Sequence, residues 1–517
     1  MERGQRARVV EGEGGRRKPR RTGSGGVKQL AWRQPVNRYA AVEVLTPDQV
    51  ELIHDASLRI LETMGLEFLS PRALDLLAAN GAEVDRSNNR VRFDRALVLD
   101  WAAKAPSSFT LHARNPAHDI VIGGEHVAFC AVSSAPNVSD LDGGRRPGNY
   151  ADFSNLLRLA QSLNVIHLAS GYPVEPIDRP PPTRHLDAYQ AFITLTDKVW
   201  QPSAIGGDRI EDGIEMNALA RGITREELVA RPGLLTVVNT NSPLRVDGAM
   251  IAGLMAMAEA GQAVIVTPFT LSGAMSPATL AGALAQQNAE ALAVIAFAQM
   301  VRPGAPVLYG GFTSNVDMKS GAPAFGTPEY TRAAIAGGQL ARRYNLPYRS
   351  SNACAANAVD AQAAYESEMS LWGAILGHAN LIKHGAGWME GGLVASYEKM
   401  IVDAELLQMM SEFLQPIEVN EDTLGLDAIA EVGPGGHFFG AAHTLARFET
   451  AFYAPMLSDW RNFETWREAG AKDTTQRANA IWKQLLAEYQ PPPLDPAIDE
   501  AVRDYVERRK REGGVEG

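Results

Sequence analysis

The stretch Ser351–Lys399, SNACAANAVDAQAAYESEMSLWGAILGHANLIKHGAGWMEGGLVASYEK, decides the reading of the chain. It begins where the apolar run Leu346–Ser350 ends and passes through a helix-like segment. It then reaches a second apolar run, Leu381–Gly385, before a glycine-rich loop with Trp388 and Glu390. The strand ends read as uncharged and the loops are dense in polar groups, which is where an α/β barrel places its chemistry.

Working outward, the same alternation of short apolar run and long helical segment extends toward the N-terminus. Parallel strands covered by helices on one face and packed inside a barrel on the other read as near-continuous apolar runs, and crossover helices separate them. Eight such runs occur: Val127–Val132, Val165–Gly171, Val199–Ala204, Leu234–Asn239, Ala263–Thr267, Pro306–Gly310, Leu346–Ser350 and Leu381–Gly385. Eight repeats over about 290 residues predict an α/β fold of the (β/α)8 TIM-barrel type. The alternative is an open doubly wound sheet, but no GxGxxG turn follows an early strand.

Before the barrel, Thr46-Pro47-Asp48-Gln49 combines a capping residue, a proline at the first helical position and a glutamine three residues on. This predicts a helix running to Gly65. Ser70-Pro71 opens a second helix, and Val91–Phe93, Phe109–Leu111 and Ile120–Ile122 read as short strands. The expected organisation is a disordered basic tail over 1–38, an N-terminal α+β cap over 39–122, the barrel over 123–415 and a C-terminal helical extension over 416–517.

Composition narrows the function classes. The chain has 517 residues, is 45% hydrophobic and 21% charged, and carries a formal charge of −11. Residues Met1–Gly26 hold eight basic and three acidic groups, so the remainder carries about −16, which argues against a nucleic-acid surface on the folded body. The start lacks the apolar run of a secretory signal, and two cysteines suit a reducing compartment, so a cytoplasmic protein is expected. The uncharged stretch Gly261–Ala289 is broken by Pro268, Pro277 and a Gln-Gln-Asn run, so no membrane segment is expected.

Residues after barrel strands form the candidate site. Aromatic and amide groups dominate: Phe269 after the fifth run, Tyr309, Phe312 and Asp317 after the sixth, Asn352 and Gln362 after the seventh, Trp388 and Glu390 after the eighth. Aromatic faces with one or two carboxylates suit a quaternary ammonium, a cation that ring quadrupoles attract and that donates no hydrogen bond. Asp317 and Glu390 are the candidate carboxylates, although Asp317 has Lys319 nearby as a pairing partner. His437, in GPGGHFFG (Gly433–Gly440), is a further candidate, with a satisfied loop histidine as the alternative. A zinc site using Cys130, Cys354 and His384 or His437 is a weaker reading, because no CxxC, HxC or HExxH spacing occurs. No metal site is therefore expected.

Several segments, in order, carry a family resemblance. Pro136-Asn137-Val138-Ser139-Asp140 through Arg146-Pro147-Gly148 and Asp152 is one; Gly326-Thr327-Pro328-Glu329 is a second. Asp360-Ala361-Gln362 with Tyr365-Glu366, Gly387-Trp388 through Tyr397-Glu398-Lys399, the helix with His54, and GPGGHFFG with His443 complete the set. Together, over roughly residues 40–490, the chain resembles the trimethylamine methyltransferase family. The resemblance implies a TIM-barrel enzyme moving a methyl group from a methylated amine to the Co(I) of a corrinoid. That cofactor would arrive on a separate corrinoid protein rather than be held tightly by this chain. It also implies a homo-oligomer.

Archaeal members place pyrrolysine in the loop after the seventh strand, and here Ser350–Asn357 contains only standard residues. The expected substrate is accordingly a quaternary amine such as glycine betaine, already activated by its charge. Phe312 and Trp388 would stack on the ammonium, Asp317 or Glu390 would balance it, and Asn352 with Gln362 would orient the other end. Two readings compete: a zinc- or folate-dependent methyltransferase on the same barrel, and a protein that binds betaines without turnover.

Overall fold

The structure, a computed structural model, describes residues 26–515. Eight runs and eight following helices occur in the predicted order. The helices are Tyr150–Ser162, Arg184–Leu195, Gly207–Arg221, Gly248–Glu259, Leu280–Val301, Pro328–Arg343, Ala361–Leu376 and Tyr397–Phe413. Six of the runs are regular parallel strands, Ala128–Ala131, Leu235–Thr240, Ala263–Ser272, Val307–Gly310, Tyr348–Ser351 and Leu381–Ala386; from Leu235–Thr240 onward each pairs with the next, and Leu381–Ala386 pairs back to Ala128–Ala131.

The two remaining runs are attached by single parallel bridges, Cys130 to Leu168, Leu168 to Val199 and Trp200 to Leu234. The pairing is thus carried round the ring, but this quarter lacks regular strands. Ser170 sits at φ 62°, outside strand geometry, and Pro202 has no N–H to donate to a ladder.

Alternation along the strands fills the interior. Ala128, Cys130, Leu168, Val199, Leu235, Ile265, Leu308 and Leu381 form one inward-facing cluster. The hairpin Ser108–Leu111 and Ile120–Gly123 closes the N-terminal end, adding Leu111, Ile120 and Ile122 to that cluster. The predicted cap strands at 109–111 and 120–122 therefore serve as the floor of the barrel.

The cap helix Pro47–Arg59 begins as expected: Gln49 N–H donates to Thr46 Oγ1 at 3.3 Å and Thr46 N–H donates to Gln49 Oε1 at 2.9 Å. One strand not anticipated, Leu66–Phe68, pairs with both Arg90–Arg92 and Arg245–Val246, joining the cap to a barrel loop.

The expected tail boundary at residue 38 is corrected. Residues 27–38 run along the closed end of the barrel, where Val127 N–H donates to Pro35 O at 2.9 Å, Asn37 N–H to Glu125 O at 2.8 Å and Leu30 N–H to Gln408 Oε1 at 2.8 Å. The disorder expected for residues 1–25 concerns positions outside the described residues. At the other end, Thr474–Glu488 packs on Tyr397–Phe413, and Pro496–Arg511 packs on Arg184–Leu195 and Gly207–Arg221. No helix among the described residues is long and apolar enough to cross a membrane.

Candidate functional site

The carboxyl ends of the strands surround a cavity of about 590 Å³. It reaches the surface at Ile205, which is 53% exposed. Three predicted aromatics line it. Phe269 and Phe312 lie 5.2 Å apart between ring centroids, and Trp388 meets Phe312 edge-on at 6.2 Å. Their closeness follows from pairing: the strand Ala263–Ser272 runs five residues beyond its predicted end at Thr267 and sets Phe269 beside Phe312 in register. Trp388 also stacks on His384 at 5.3 Å.

Facing this wall are two cations that the sequence reading passed over. Arg349 and Lys383 line the cavity, and each is only 2% exposed. The expectation of uncharged strand ends is thus corrected: both side chains point into the barrel from within the seventh and eighth strands. The Lys383 ammonium donates to Gln201 Oε1 at 2.7 Å and to Ser170 Oγ at 2.5 Å. Arg349 Nη1 reaches Gly311 O at 3.4 Å, its Nε has no partner, and its guanidinium carbon lies 5.3 Å from the centroid of Phe312. Neither cation has a carboxylate partner among the described residues. The cavity-lining Glu175 is taken by Arg184 at 2.5 Å.

Burial disfavours these charges. It lowers Lys383 to about 8, with the neighbouring Arg349 adding to the effect and Cys130 opposing it, and lowers Arg349 to about 10. His384 is held well below its ordinary value by burial and by the two cations, so its imidazole is neutral near pH 7.

The other predicted residues lie elsewhere. Tyr309 follows the inward-facing Leu308 and therefore points out of the barrel, where its hydroxyl donates to Asn288 Oδ1 at 2.9 Å in a chain that reaches Tyr344 and His54. Asp317 is exposed and folds over its own turn, accepting from Ser320 Oγ at 2.6 Å, rather than pairing with Lys319. Asn352 is buried with its Nδ2 donating to Gly385 O at 3.0 Å. Gln362 is exposed at a helix start and donates to Glu366 Oε1 at 2.8 Å, while Glu366 Oε2 accepts from Ala355 and Ala356 N–H. His437 is exposed in the C-terminal extension beside Phe439.

Glu390 sits at the rim with φ 52°, accepting from Arg145 Nε at 3.0 Å. Its loop belongs to a small rim sheet formed by Trp388–Met389, Val394–Ser396, Asn137–Asp140 and Gly144–Pro147. Arg146 locks that sheet by binding Asp140 at 2.6 Å and Asp152 at 2.8 Å, and Tyr397 OH donates to Asp152 at 2.9 Å. The early sequence motif is therefore scaffolding around the mouth. Cys130 lies inside the barrel and Cys354 in a separate small cluster. No group of three or more His, Cys, Asp or Glu among the described residues is placed to hold a metal ion.

The chain is similar in sequence to known methyltransferases. A glycine betaine methyltransferase of Desulfitobacterium hafniense (strain Y51) is 40% identical over 474 residues, covering 92% of this chain and 98% of that protein. A trimethylamine methyltransferase, MttB, of D. hafniense (strain DSM 10664 / DCB-2) is 32% identical, covering 90% and 94%. The solved monomethylamine methyltransferase MtmB of Methanosarcina barkeri overlaps 89% of this chain with a TM-score of 0.44 at 8% identity. The family model for trimethylamine methyltransferase (MTTB) matches residues 12–514, and the chain belongs to that methyltransferase family.

Proposed function

We propose that this enzyme removes a methyl group from a quaternary methylated amine and delivers it to a corrinoid carried by a separate protein. The observation that supports this most directly is the cavity at the barrel mouth walled by Phe269, Phe312 and Trp388. Ring faces attract a trimethylammonium group, whose methyls offer no hydrogen bond, and their attraction strengthens when water is excluded. The high identity to a glycine betaine methyltransferase along nearly its whole length, and the all-standard residues of the loop after the seventh strand, favour the same substrate class.

The Co(I) centre of the partner's corrinoid supplies the nucleophile. The methyl carbon leaves nitrogen, the C–N electron pair stays on nitrogen, and the ammonium becomes a neutral amine, so no proton transfer is needed. The protein's tasks are to orient one methyl toward the mouth, to keep water out and to admit the partner. In this reading the aromatic wall holds the ammonium, and Glu390 with Arg145 shapes the rim. Asn352 and the pair Gln362–Glu366 brace the seventh loop. Assembly into a homo-oligomer belongs to the same proposal.

The test is anaerobic incubation with cob(I)alamin and a panel of quaternary and tertiary methylamines. Methylcobalamin formed from one quaternary amine is the expected spectrum. Measurable amine binding with no methylation of free cobalamin or of any candidate corrinoid protein would overturn the proposal in favour of a betaine-binding protein.

A further inference from the structure

We infer that Arg349 and Lys383 form a receptor for the anionic end of the substrate, so that the cavity selects zwitterionic, carboxylate-bearing quaternary amines over purely cationic ones. This rests on the methylated-amine reading above and deepens it. Aromatic walls alone treat glycine betaine, choline and tetramethylammonium alike, because all three present the same methylated cation.

The two basic groups break that equivalence. Both side chains are 2% exposed, and neither meets a carboxylate among the described residues. Burying a charge without a counter-charge is costly, and folds retain such a charge only where something else compensates it. Both also keep hydrogen-bonding capacity in reserve. Lys383 uses two of its three N–H donors, on Ser170 and Gln201, and Arg349 leaves Nε unpartnered and reaches its one acceptor at 3.4 Å. A planar guanidinium beside an ammonium matches a carboxylate's two oxygens.

Placement relative to the aromatic wall supplies the second constraint. The Arg349 guanidinium already lies over Phe312, the ring central to the wall. A second, lone cation drawn to that wall would meet two unneutralised positive charges inside a low-dielectric cavity. A carboxylate joined to the ammonium by a short spacer converts that repulsion into two charge-assisted contacts. The neutral His384, stacked on Trp388, adds no further charge to the balance.

The experiment measures binding by calorimetry, without turnover, for glycine betaine, choline and tetramethylammonium. The wild-type enzyme is expected to bind glycine betaine at least about tenfold more tightly than choline, the scale of one hydrogen bond to a charged group. Lys383→Met and Arg349→Met should each erase most of that preference, mainly by weakening glycine betaine. Replacing an uncompensated buried cation by an apolar group should leave the thermal midpoint unchanged or raise it, so loss of preference in a folded variant reads the receptor itself. Equal binding of choline and glycine betaine by the wild type overturns the inference. So does methyl transfer from choline at the betaine rate, which would leave the methyltransferase proposal standing. Preferential betaine binding with no methyl transfer to cobalt would sink that proposal and leave the receptor in place.

Discussion

Lys383 donates to Gln201 Oε1 at 2.7 Å across the interior of the barrel, linking the eighth strand to the irregular third run. An ammonium on a paired strand is thereby held by an amide in the quarter of the ring that lacks regular strands. The contact fixes where positive charge sits under the aromatic wall.

Charge on Lys383 should make substrate affinity depend on pH. The ammonium, lowered to about 8 by burial and Arg349 and opposed by Cys130, is protonated below that value and lost above it. Affinity for a carboxylated amine should hold steady near pH 7 and fall as pH rises toward about 9, while the more basic guanidinium of Lys383→Arg should delay the fall. Titrating the dissociation constant across that range checks this; a flat profile in the wild type contradicts it.

Trp388 lies between His384 and Phe312. Trp388→Ala should raise the dissociation constant for a quaternary amine roughly 2- to 30-fold, the range of one desolvated cation–π contact, and Trp388→Phe should raise it less. Unchanged affinity in the alanine variant would remove Trp388 from the binding wall.

A buried ion pair supports the same loop from behind. Asp403 pairs with Lys399, both side chains fully buried, and also accepts from Gly387 N–H at 2.8 Å, next to Trp388. Asp403→Ala strands the Lys399 cation and should cost on the order of 3–5 kcal/mol in denaturant unfolding. The double replacement Lys399→Met with Asp403→Leu should recover most of that loss, because no buried charge then remains unpaired.

Acid should loosen the N-terminal segment through His167. Phe129 N–H donates to His167 Nδ1 at 2.9 Å, so the other nitrogen carries the proton and donates to Arg33 O at 2.8 Å. Burial lowers this histidine to about 4. Because the folded value lies below the unfolded one, its stabilising contribution is complete above about pH 6.5 and is lost as pH falls through about 4, a change of up to about 3 kcal/mol. Comparing denaturant midpoints at about pH 7 and about pH 4.5, the wild type should lose more stability than His167→Asn; parallel losses would contradict this.

The order of strands and helices was legible because buried parallel strands read as continuous apolar runs, and Thr46 with Gln49 announces its helix locally. The aromatic candidates Phe269, Phe312 and Trp388 were legible for a related reason, since residues just past barrel strands gather at one end. Asp317 and Gln362, which follow the same rule, and His437, a candidate from its glycine-rich loop, lie outside the cavity lining. The first is engaged by its own turn, the second by its own helix, and the third sits in the extension. Tyr309 fails on parity alone: one residue along a strand reverses the direction of the side chain.

Sequence by itself determined the barrel, the helices around it and the methyltransferase family, because each of these rests on local periodicity or on motifs read in order along the chain. Tertiary structure alone decided that Arg349, Lys383, Gln201 and Ser170 share one interior site. Their meeting depends on ring closure, which brings together residues far apart in sequence, and a single basic residue inside an apolar run carries no local sign of which face it will occupy.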